Sequence, residues 1–255
     1  MPIELTINDG VAEIVLNDPG KLNALDEVAL ADLSRAYSDA EEAAVRALVL
    51  RGEGRAFCAG RDISHVDPAT DDAHGYLADV VTPVLRQISG FPAPTFAIAT
   101  GACLGVGLGL LIASDVVYVA DTAKIGSPFA NLGATLDSGG HKLFFERLGA
   151  HRTLDLIYTA ELMSGTEAVA AGLFSRVVPE ADILDFTRQR AQRVSAGPAK
   201  AFLASKQLVR RLRDEPTGLW QSLEDENVAQ GTLSSSDDYR EGFAAFQEKR
   251  KPVFG

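Results

Sequence analysis

Apolar and polar residues alternate along two segments at the start of the chain, residues 3–7 and 11–16. A period of two places the apolar side chains on one face of an extended backbone. Asn8, Asp9 and Gly10 separate the two segments, and these residue types are typical of a tight turn. The pattern therefore predicts an antiparallel hairpin at the N-terminus.

Extended and helical patterns then follow one another. Apolar residues with helical spacing predict a helix from Asp26 to about Ala44 and another from about His74 to Ser89. Residues 64–72, before the second helix, are polar and are predicted to form a mobile loop. Buried strands are predicted at residues 46–50, 95–99 and 116–120, with a short extended piece at 124–125. Strands and helices that alternate in this way indicate an α/β fold with ββα units.

From Gly139 onward the pattern is mostly helical. Helices are predicted at about residues 140–148, 151–160, 166–171, 182–195, 199–213, 217–230 and 236–248. Gly197 and Pro198 interrupt this series, because glycine followed by proline seldom continues a helix. The chain is therefore predicted to have a core, residues 1–196, and a C-terminal helical region, residues 197–255.

The segment at the centre of the chain, residues 99–115, contains four glycines within nine positions, from 101 to 109. A predicted strand precedes it and a helix-compatible apolar run follows, so the glycines lie where a helix begins. Glycine lets a ligand approach the backbone closely, and the free N–H groups of a first helical turn attract negative charge. The segment is therefore predicted to be an oxyanion site, although such turns can also serve packing alone. Leu110 stands where a dinucleotide-binding fingerprint would need its third glycine.

A second glycine-rich turn, residues 52–63, also follows a predicted buried strand. Two such turns can each place one backbone N–H on the same carbonyl oxygen. A donor of this kind contributes about 10² to 10³ in rate when the negative charge appears only in the transition state. The pair of turns predicts an enolate or a tetrahedral oxyanion as the reaction intermediate.

Composition and charge narrow the choice of partners. The chain has 255 residues, of which 46% are hydrophobic, enough for a substantial core. Its net charge of −11 argues against binding to nucleic acid, which requires a basic surface. With no secretory leader and no apolar run of membrane-spanning length, a cytosolic location away from membranes is expected. The two cysteines and four histidines lack metal-ligand spacing, so no metal is expected.

Five segments, in order along nearly the whole chain, resemble the enoyl-CoA hydratase/isomerase (crotonase) superfamily. GRAFCAGRDI at residues 54–63 and GACLGVGLGL at 101–110 resemble its two signature segments, and residues 19–25, 162–178 and 236–250 match three more. The resemblance implies a crotonase-like spiral of ββα units with a C-terminal helical trimerisation layer. It also implies an acyl-CoA substrate in lipid metabolism, no further cofactor, and a homo-oligomer that is a trimer or a dimer of trimers.

The same resemblance assigns site residues. The backbone N–H groups of Arg61 and Val106 become the oxyanion donors. The coenzyme A and acyl site is expected to include Lys21, Leu22, Ala24, Ala59, Asp62, Ile63, Gly105, Phe129 and Leu132. Phe246 and Lys249 are expected to close the site of a neighbouring subunit, although Lys249 can equally be a charge on a solvated helix face.

The chain departs from the family's hydratases at two positions. Their two catalytic glutamates correspond here to Gly109 and Phe129, and neither residue transfers a proton. Asp137 instead aligns with an aspartate of the branch that includes dienoyl-CoA isomerases, 3-hydroxyisobutyryl-CoA hydrolases and ring-epoxide isomerases of the phenylacetate pathway. The surrounding residues look most like the last group. Asp137 can alternatively cap the helix that follows it.

One carboxylate beside an oxyanion hole predicts an isomerase-type proton shift. Burial beside Phe129 and Leu132 is expected to raise the pKa of Asp137. A hydratase that uses Asp137 alone and a non-catalytic acyl-CoA binder remain alternatives. His65 and His141 are less favoured bases. A serine hydrolase is disfavoured, because Ser138 has neither a disulfide scaffold nor a nucleophile elbow around it.

Overall fold

A computed structural model describes residues 1–255, and its first two strands form the expected hairpin. Strand β1 (Ile3–Asn8) pairs with β2 (Val11–Leu16) in antiparallel register, with Ile3 opposite Leu16. Asp9 and Gly10 turn the chain with φ angles of 48° and 75°. Positive φ at both central residues matches the twist of the two strands, so the turn signal is confirmed.

Most strands belong to one six-stranded sheet, which contains the hairpin, β3 (Ala47–Gly52), β4 (Thr95–Ala99), β6 (Val116–Ala120) and β9 (Arg176–Val178) in the order β1-β2-β3-β4-β6-β9. From β2 onward every neighbouring pair is parallel, and strands β3 and β4 are largely buried, as expected for a sheet covered on both faces. A smaller sheet contains β5 (Ala102–Leu104), β7 (Lys124–Gly126) and β8 (Met163–Ser164).

The helices follow the predicted pattern closely. They are α1 (Glu27–Glu42), α2 (Ala73–Gly75), α3 (Thr82–Gly90), α4 (Val106–Ala113), α5 (Gly140–Thr159), α6 (Gly165–Ala170), α7 (Ile183–Ser195), α8 (Ala199–Asp214), α9 (Leu219–Leu233) and α10 (Asp237–Glu248). A π-helical segment, Tyr76–Val81, joins α2 to α3. The helices predicted at 140–148 and 151–160 are both present. They are numbered together as α5, and Gly149 between them is not helical, with a φ of 74° and a ψ of 171°.

Helix α4 lies at the centre of the core. Seven of its eight residues are buried, so it has no polar face, and the main cluster of 47 buried residues surrounds it. A helix that is apolar on all sides is stable only in the interior of a protein. Its N-terminus therefore lies deep in the molecule, next to the smaller sheet, and the candidate site is built there.

The C-terminal helices are much less buried than the core. Helices α8 and α9 have no fully buried residue, and α10 has one. The ammonium group of Lys206 on α8 lies 2.8 Å from the carboxylate of Asp115 and donates to the carbonyl of Ala93 at 3.1 Å. The expected boundary falls in the link between α7 and α8, and the division into two domains stays a prediction. No helix of the chain is long and apolar enough to cross a membrane.

Candidate active site

The two glycine-rich turns lie side by side. Cys58 N–H donates to the carbonyl of Ala102 at 2.9 Å, and Leu104 N–H donates to the carbonyl of Cys58 at 3.0 Å. These bonds place Cys58 opposite Cys103 in parallel pairing. Arg61 and Val106 each follow three residues later, so they occupy equivalent positions in the two turns.

Close approach of the turns depends on glycine. The φ angles are +98° at Gly60 and +53° at Gly105, a region that other residues rarely adopt. A Cβ atom on Gly60 would lie 2.9 Å from the carbonyl oxygen of Leu104, and one on Gly105 would lie 2.9 Å from the ring of Phe129. A side chain at either position would therefore push the turns or their neighbours apart.

The two amides expected to act as oxyanion donors are free. Arg61 N–H donates to no acceptor in the protein, and Val106 is the first residue of α4, so its N–H has no acceptor within that helix. Among the neighbouring amides, Asp62 N–H donates to the carbonyl of Leu25, and Gly105 N–H donates to the Gly126 carbonyl and the Ser127 hydroxyl. Two unsatisfied amides in paired turns, one at a helix N-terminus, form an environment that favours negative charge on a ligand.

The residues expected to bind coenzyme A also come together. Leu25 N–H donates to the carbonyl of Gly60 at 2.8 Å, and Ala59 N–H donates to the carbonyl of Leu22 at 2.9 Å. This pairing holds the segment 21–25 against 59–63, so it gathers Lys21, Leu22, Ala24, Ala59, Asp62 and Ile63. The ammonium of Lys21 lies 2.7 Å from the carboxylate of Asp62 and holds the pKa of that carboxyl well below its usual range. Ile63 is 54% exposed and available to a ligand.

Asp137 is half-buried, and its carboxylate is not fully hydrogen-bonded. Its Oδ1 atom is buried without a hydrogen-bond partner. Burial raises the pKa of Asp137, while the nearby Ser138 hydroxyl and His141 oppose that rise, although no hydrogen bond of normal geometry joins Asp137 to Ser138. Helix α5 begins at Gly140 after Gly139, with no side-chain cap, so the interpretation of Asp137 as a helix cap is wrong.

The surroundings of Asp137 differ from expectation in one respect. Leu132 is 63% exposed, so it does not provide the predicted burial in the single chain, whereas Leu136 is buried. Phe129 is half-buried, and its ring lies against Gly105 as described above. His65 and His141 are exposed.

Gly109 packs directly against the loop that carries Asp137. A Cβ atom on Gly109 would lie 2.5 Å from the Cβ of Ser138 and 3.2 Å from its carbonyl oxygen. Ser138 has a φ of 52°, a strained conformation for a residue other than glycine. The space that a glutamate would need at position 109 is therefore filled by Ser138.

Two residues near the site, Asp71 and Tyr76, were not predicted from the sequence. The guanidinium of Arg61 donates two hydrogen bonds to Asp71, at 2.8 and 2.9 Å, and lies 4.0 Å from the centre of the Tyr76 ring. Asp71 belongs to the segment predicted to be a mobile loop. Within that segment Asp67 accepts from Ala69 N–H, and at its end Asp72 accepts from Gly75 N–H of α2. Asp72 caps α2, and an aspartate just before a helical pattern is a recognised sign of a helix start, so it could have been predicted. Tyr76 has no sequence signal beyond its place in the apolar spacing of a helix.

Phe246 and Lys249 lie at the C-terminal end of the chain, on α10 and just after it. Phe246 is 84% exposed and lines a cavity of about 470 Å³ between C-terminal helices. Their contribution to a neighbouring subunit's site stays a prediction. Both cysteines are buried, and burial raises the pKa of Cys58 to about 12, which makes it a poor nucleophile. The chain contains no group of three or more His, Cys, Asp or Glu side chains arranged to hold a metal ion.

Comparison with known proteins gives one consistent family. The family model for enoyl-CoA hydratase/isomerase matches residues 6–255. The chain is 34% identical to a protein of Rhodobacter capsulatus named "Probable enoyl-CoA hydratase" over 99% of this chain and 97% of that protein. It is 30% identical to 1,2-epoxyphenylacetyl-CoA isomerase of Escherichia coli, over 97% and 96% of the two chains. The crystal structure of enoyl-CoA hydratase subunit I from Geobacillus kaustophilus superimposes with a TM-score of 0.90 at 32% identity, covering 99% and 97%.

Proposed function

The chain belongs to the enoyl-CoA hydratase/isomerase family, with the crotonase fold, and we propose that within this family it is an acyl-CoA isomerase. Its substrate is an enoyl-CoA or a related unsaturated or epoxidised acyl-CoA. The supporting observation is that the site has two candidate oxyanion donors but one candidate proton-transfer group. Two free backbone amides lie in paired turns, yet Asp137 is the one carboxylate at the positions where the resemblance places proton-transfer groups.

The proposed reaction has two proton transfers. The thioester carbonyl oxygen accepts hydrogen bonds from the N–H groups of Arg61 and Val106, which stabilise the enolate as negative charge moves onto that oxygen. The carboxylate of Asp137 takes a proton from one carbon of the acyl group, so the C–H electron pair enters the enolate. The protonated Asp137 then returns the proton to another carbon, and the double bond moves. These steps use the acyl-CoA thioester and no other cofactor.

Hydration is the second candidate, and the names of relatives such as the Rhodobacter capsulatus protein favour it. Addition of water needs a base for the water and an acid for the α-carbon. Asp137 would have to serve in both roles through a bound water, because Gly109 and Phe129 offer neither group. A non-catalytic acyl-CoA binder is the third candidate.

Incubation with 2-enoyl-CoA and 3-enoyl-CoA in D₂O separates the three functions. We expect the double bond of 3-enoyl-CoA to move to position 2, because an Asp137 shuttle needs only one base. Mass spectrometry and NMR would detect the moved double bond and any deuterium gained by exchange of the enzyme-bound proton. A 3-hydroxyacyl product from 2-enoyl-CoA would instead establish hydration. Thioesters that bind but stay unchanged, an epoxidised acyl-CoA included, would establish a binder.

We further propose that the C-terminal helices form a homo-oligomer, a trimer or a dimer of trimers. Large apolar side chains on these helices are exposed, which costs free energy unless another surface covers them. They are Val209, Leu212, Leu219, Trp220, Leu223, Val228, Phe243 and Phe246. Trp220 is 80% exposed.

Trp220→Glu is expected to reduce the assembly to smaller species, because tryptophan at an interface commonly contributes 2 kcal/mol or more to association, roughly a 30-fold change in affinity. Light scattering after size-exclusion chromatography measures the mass. Val28→Glu is the matched control, since Val28 is 66% exposed but lies on α1, outside the C-terminal helices. An unchanged mass for the Trp220 variant would place the interface elsewhere.

A further inference from the structure

The side chain of Arg61 is held in place, although the proposed reaction uses only the backbone of this residue. Every residue except proline has a backbone N–H, so the oxyanion role alone does not require arginine. The guanidinium nevertheless donates to both carboxylate oxygens of Asp71, at 2.8 and 2.9 Å, and lies 4.0 Å from the centre of the Tyr76 ring. The side chain therefore makes contacts that the role of the amide does not explain.

Arg61 and Asp71 form an ion pair of strong geometry. Two parallel N–H···O bonds match the planar guanidinium to the carboxylate and fix their relative orientation. The two side chains are 23% and 22% exposed, so salt screens this pair less than a pair on the open surface. Tyr76 is buried and covers a face of the guanidinium. The end of the Arg61 side chain is therefore held at its edge by Asp71 and on its face by Tyr76.

Both partners of the guanidinium come from one short piece of the chain. Asp71 immediately precedes Asp72, whose side chain accepts from Gly75 N–H at 2.8 Å and whose carbonyl accepts from Tyr76 N–H at 2.9 Å. These two bonds keep the start of α2 together. The ion pair and the ring therefore attach Arg61 to a hydrogen-bonded turn rather than to a free side chain.

An oxyanion donor cannot be fixed by a hydrogen bond of its own, because its N–H must stay vacant for the ligand. The peptide that carries Arg61 N–H is held at its other end, where the Gly60 carbonyl accepts from Leu25 N–H at 2.8 Å. On the far side of Arg61, Asp62 N–H donates to the Leu25 carbonyl at 2.8 Å. Gly60 has no side chain that could restrict the peptide. The side chain of Arg61 is therefore a further group through which its orientation can be fixed.

The second candidate donor is fixed in a different way. Val106 is 2% exposed, and its side chain packs in the main hydrophobic core at the first turn of α4. Arg61 is only partly buried and has no such packing. Since both amides must keep their positions to bind one oxygen atom, the ion pair gives Arg61 the restraint that core packing gives Val106.

We propose that Asp71 is a positioning residue for the oxyanion turn: its ion pair with Arg61 keeps the Arg61 N–H directed at the thioester oxygen, beside the N–H of Val106. This inference rests on the proposed function, which assigns these two amides to the oxyanion. Asp71 acts through Arg61 and takes no part in proton transfer. Because the carboxylate neutralises the guanidinium, the pair contributes geometry rather than positive charge.

Asp71→Asn tests this role. Asparagine has nearly the same shape, but it is uncharged and offers the guanidinium one acceptor oxygen instead of two. We expect kcat for the enoyl-CoA that the enzyme converts to fall about 10- to 100-fold, since a misplacement of about 1 Å can cost 10² in rate. The dissociation constant of butanoyl-CoA, a saturated thioester, should change little, and the melting temperature checks folding. A rate that stays near wild type, or that rises because the Arg61 charge is no longer neutralised, would overturn the proposal.

Asp67→Asn is the matched control. Asp67 belongs to the same segment, is exposed, and its side chain accepts one hydrogen bond, from Ala69 N–H at 3.0 Å. This variant removes the same charge without touching Arg61 and is expected to leave kcat unchanged. An equal loss in the two aspartate variants would show a general effect of the segment and contradict a specific role for Asp71.

A double variant shows whether Asp71 acts through Arg61. Arg61→Met keeps the backbone amide and a long side chain but removes the guanidinium, so it should lower kcat about as much as Asp71→Asn does. In the Arg61→Met background, Asp71→Asn is expected to have no further effect, because the two residues form one interaction. A full additional loss in that background would refute the positioning role.

The direction of the amide can be measured without turnover. Butanoyl-CoA labelled with ¹³C at its thioester carbonyl gives an infrared band that moves to lower frequency when the oxygen accepts hydrogen bonds. The shift on binding should be smaller in Asp71→Asn than in wild type, whether the protein proves to be an isomerase, a hydratase or a binder. An unchanged shift would overturn the positioning role alone. A wild-type protein that causes no shift would overturn the oxyanion assignment and this inference together.

Discussion

Asp137→Asn is expected to lower kcat/KM for double-bond migration by about 10² to 10⁴, the usual contribution of a general base. Asparagine has nearly the same size and leaves the packing intact, but it cannot accept the proton. Because the oxyanion amides and the coenzyme A loop are unchanged, the dissociation constant for a saturated acyl-CoA should change little. Steady-state kinetics and calorimetric titration measure the two quantities.

The control for this variant is Asp39→Asn, which removes an exposed carboxylate of α1 and should leave both quantities unaltered. An Asp137 variant that retains activity within a few-fold of wild type would locate the base elsewhere. A large loss of affinity together with the loss of rate would assign Asp137 to binding.

The pH dependence of the same variant provides a second readout. Burial raises the pKa of Asp137 in the folded chain, so the wild-type rate should fall with decreasing pH before an ordinary aspartate would be protonated. The folded state also holds this proton more tightly than the unfolded state does. Ionised Asp137 therefore lowers stability at neutral pH, and this cost disappears below the unfolded pKa of about 3.9. Asp137→Asn should raise the melting temperature at pH 7, with the gain lost near pH 3.

Gly60→Ala is expected to lower kcat by about 10² or more, comparable to the loss of one oxyanion donor. The φ of +98° is unfavourable for alanine, and its Cβ would lie 2.9 Å from the carbonyl oxygen of Leu104, a backbone atom that cannot rotate away. The strain should separate the turns and move the amide of Arg61 away from its position opposite Val106. Kinetics with a fixed enoyl-CoA, together with circular dichroism, measure the effect.

Gly172→Ala serves as its comparison. Gly172 also has a positive φ, +77°, but a Cβ there would meet nothing within 4 Å, so this variant carries the backbone strain without the steric clash. Its stability should fall by about 1 kcal/mol while kcat stays near wild type. If both variants lose activity equally, general backbone strain rather than separation of the turns would explain the effect.

An element of the fold could be predicted when its pattern of apolar residues is complete within one segment of the sequence. The hairpin, α1 and the helices of the C-terminal region were confirmed, because their periodicity is complete within one segment. Strands β5, β8 and β9 contain two or three residues each, too few for a period, and they are defined by partners elsewhere in the chain. Tyr118, for example, pairs with Arg176 across 58 positions.

The residues of the candidate site also differ in whether a nearby sequence pattern predicts them. Gly60 and Gly105 could be located because each turn has its own glycine signal after an apolar strand. The burial of the residues around Asp137 could not be predicted. Leu136 rather than Leu132 is buried, and only tertiary packing determines which of the two leucines is covered. Tyr76 and Asp71 were missed because their importance comes from Arg61, which follows a different strand.

The main-chain pairing of Cys58 with Ala102 and Leu104 links the two turns into a single unit. The amides of Arg61 and Val106 follow directly on this short ladder, so neither can be adjusted without disturbing the other. Engineering of the oxyanion geometry is therefore confined to coordinated changes in both turns. Slow hydrogen exchange at the Cys58 and Leu104 amides would report the integrity of that geometry in the absence of any substrate.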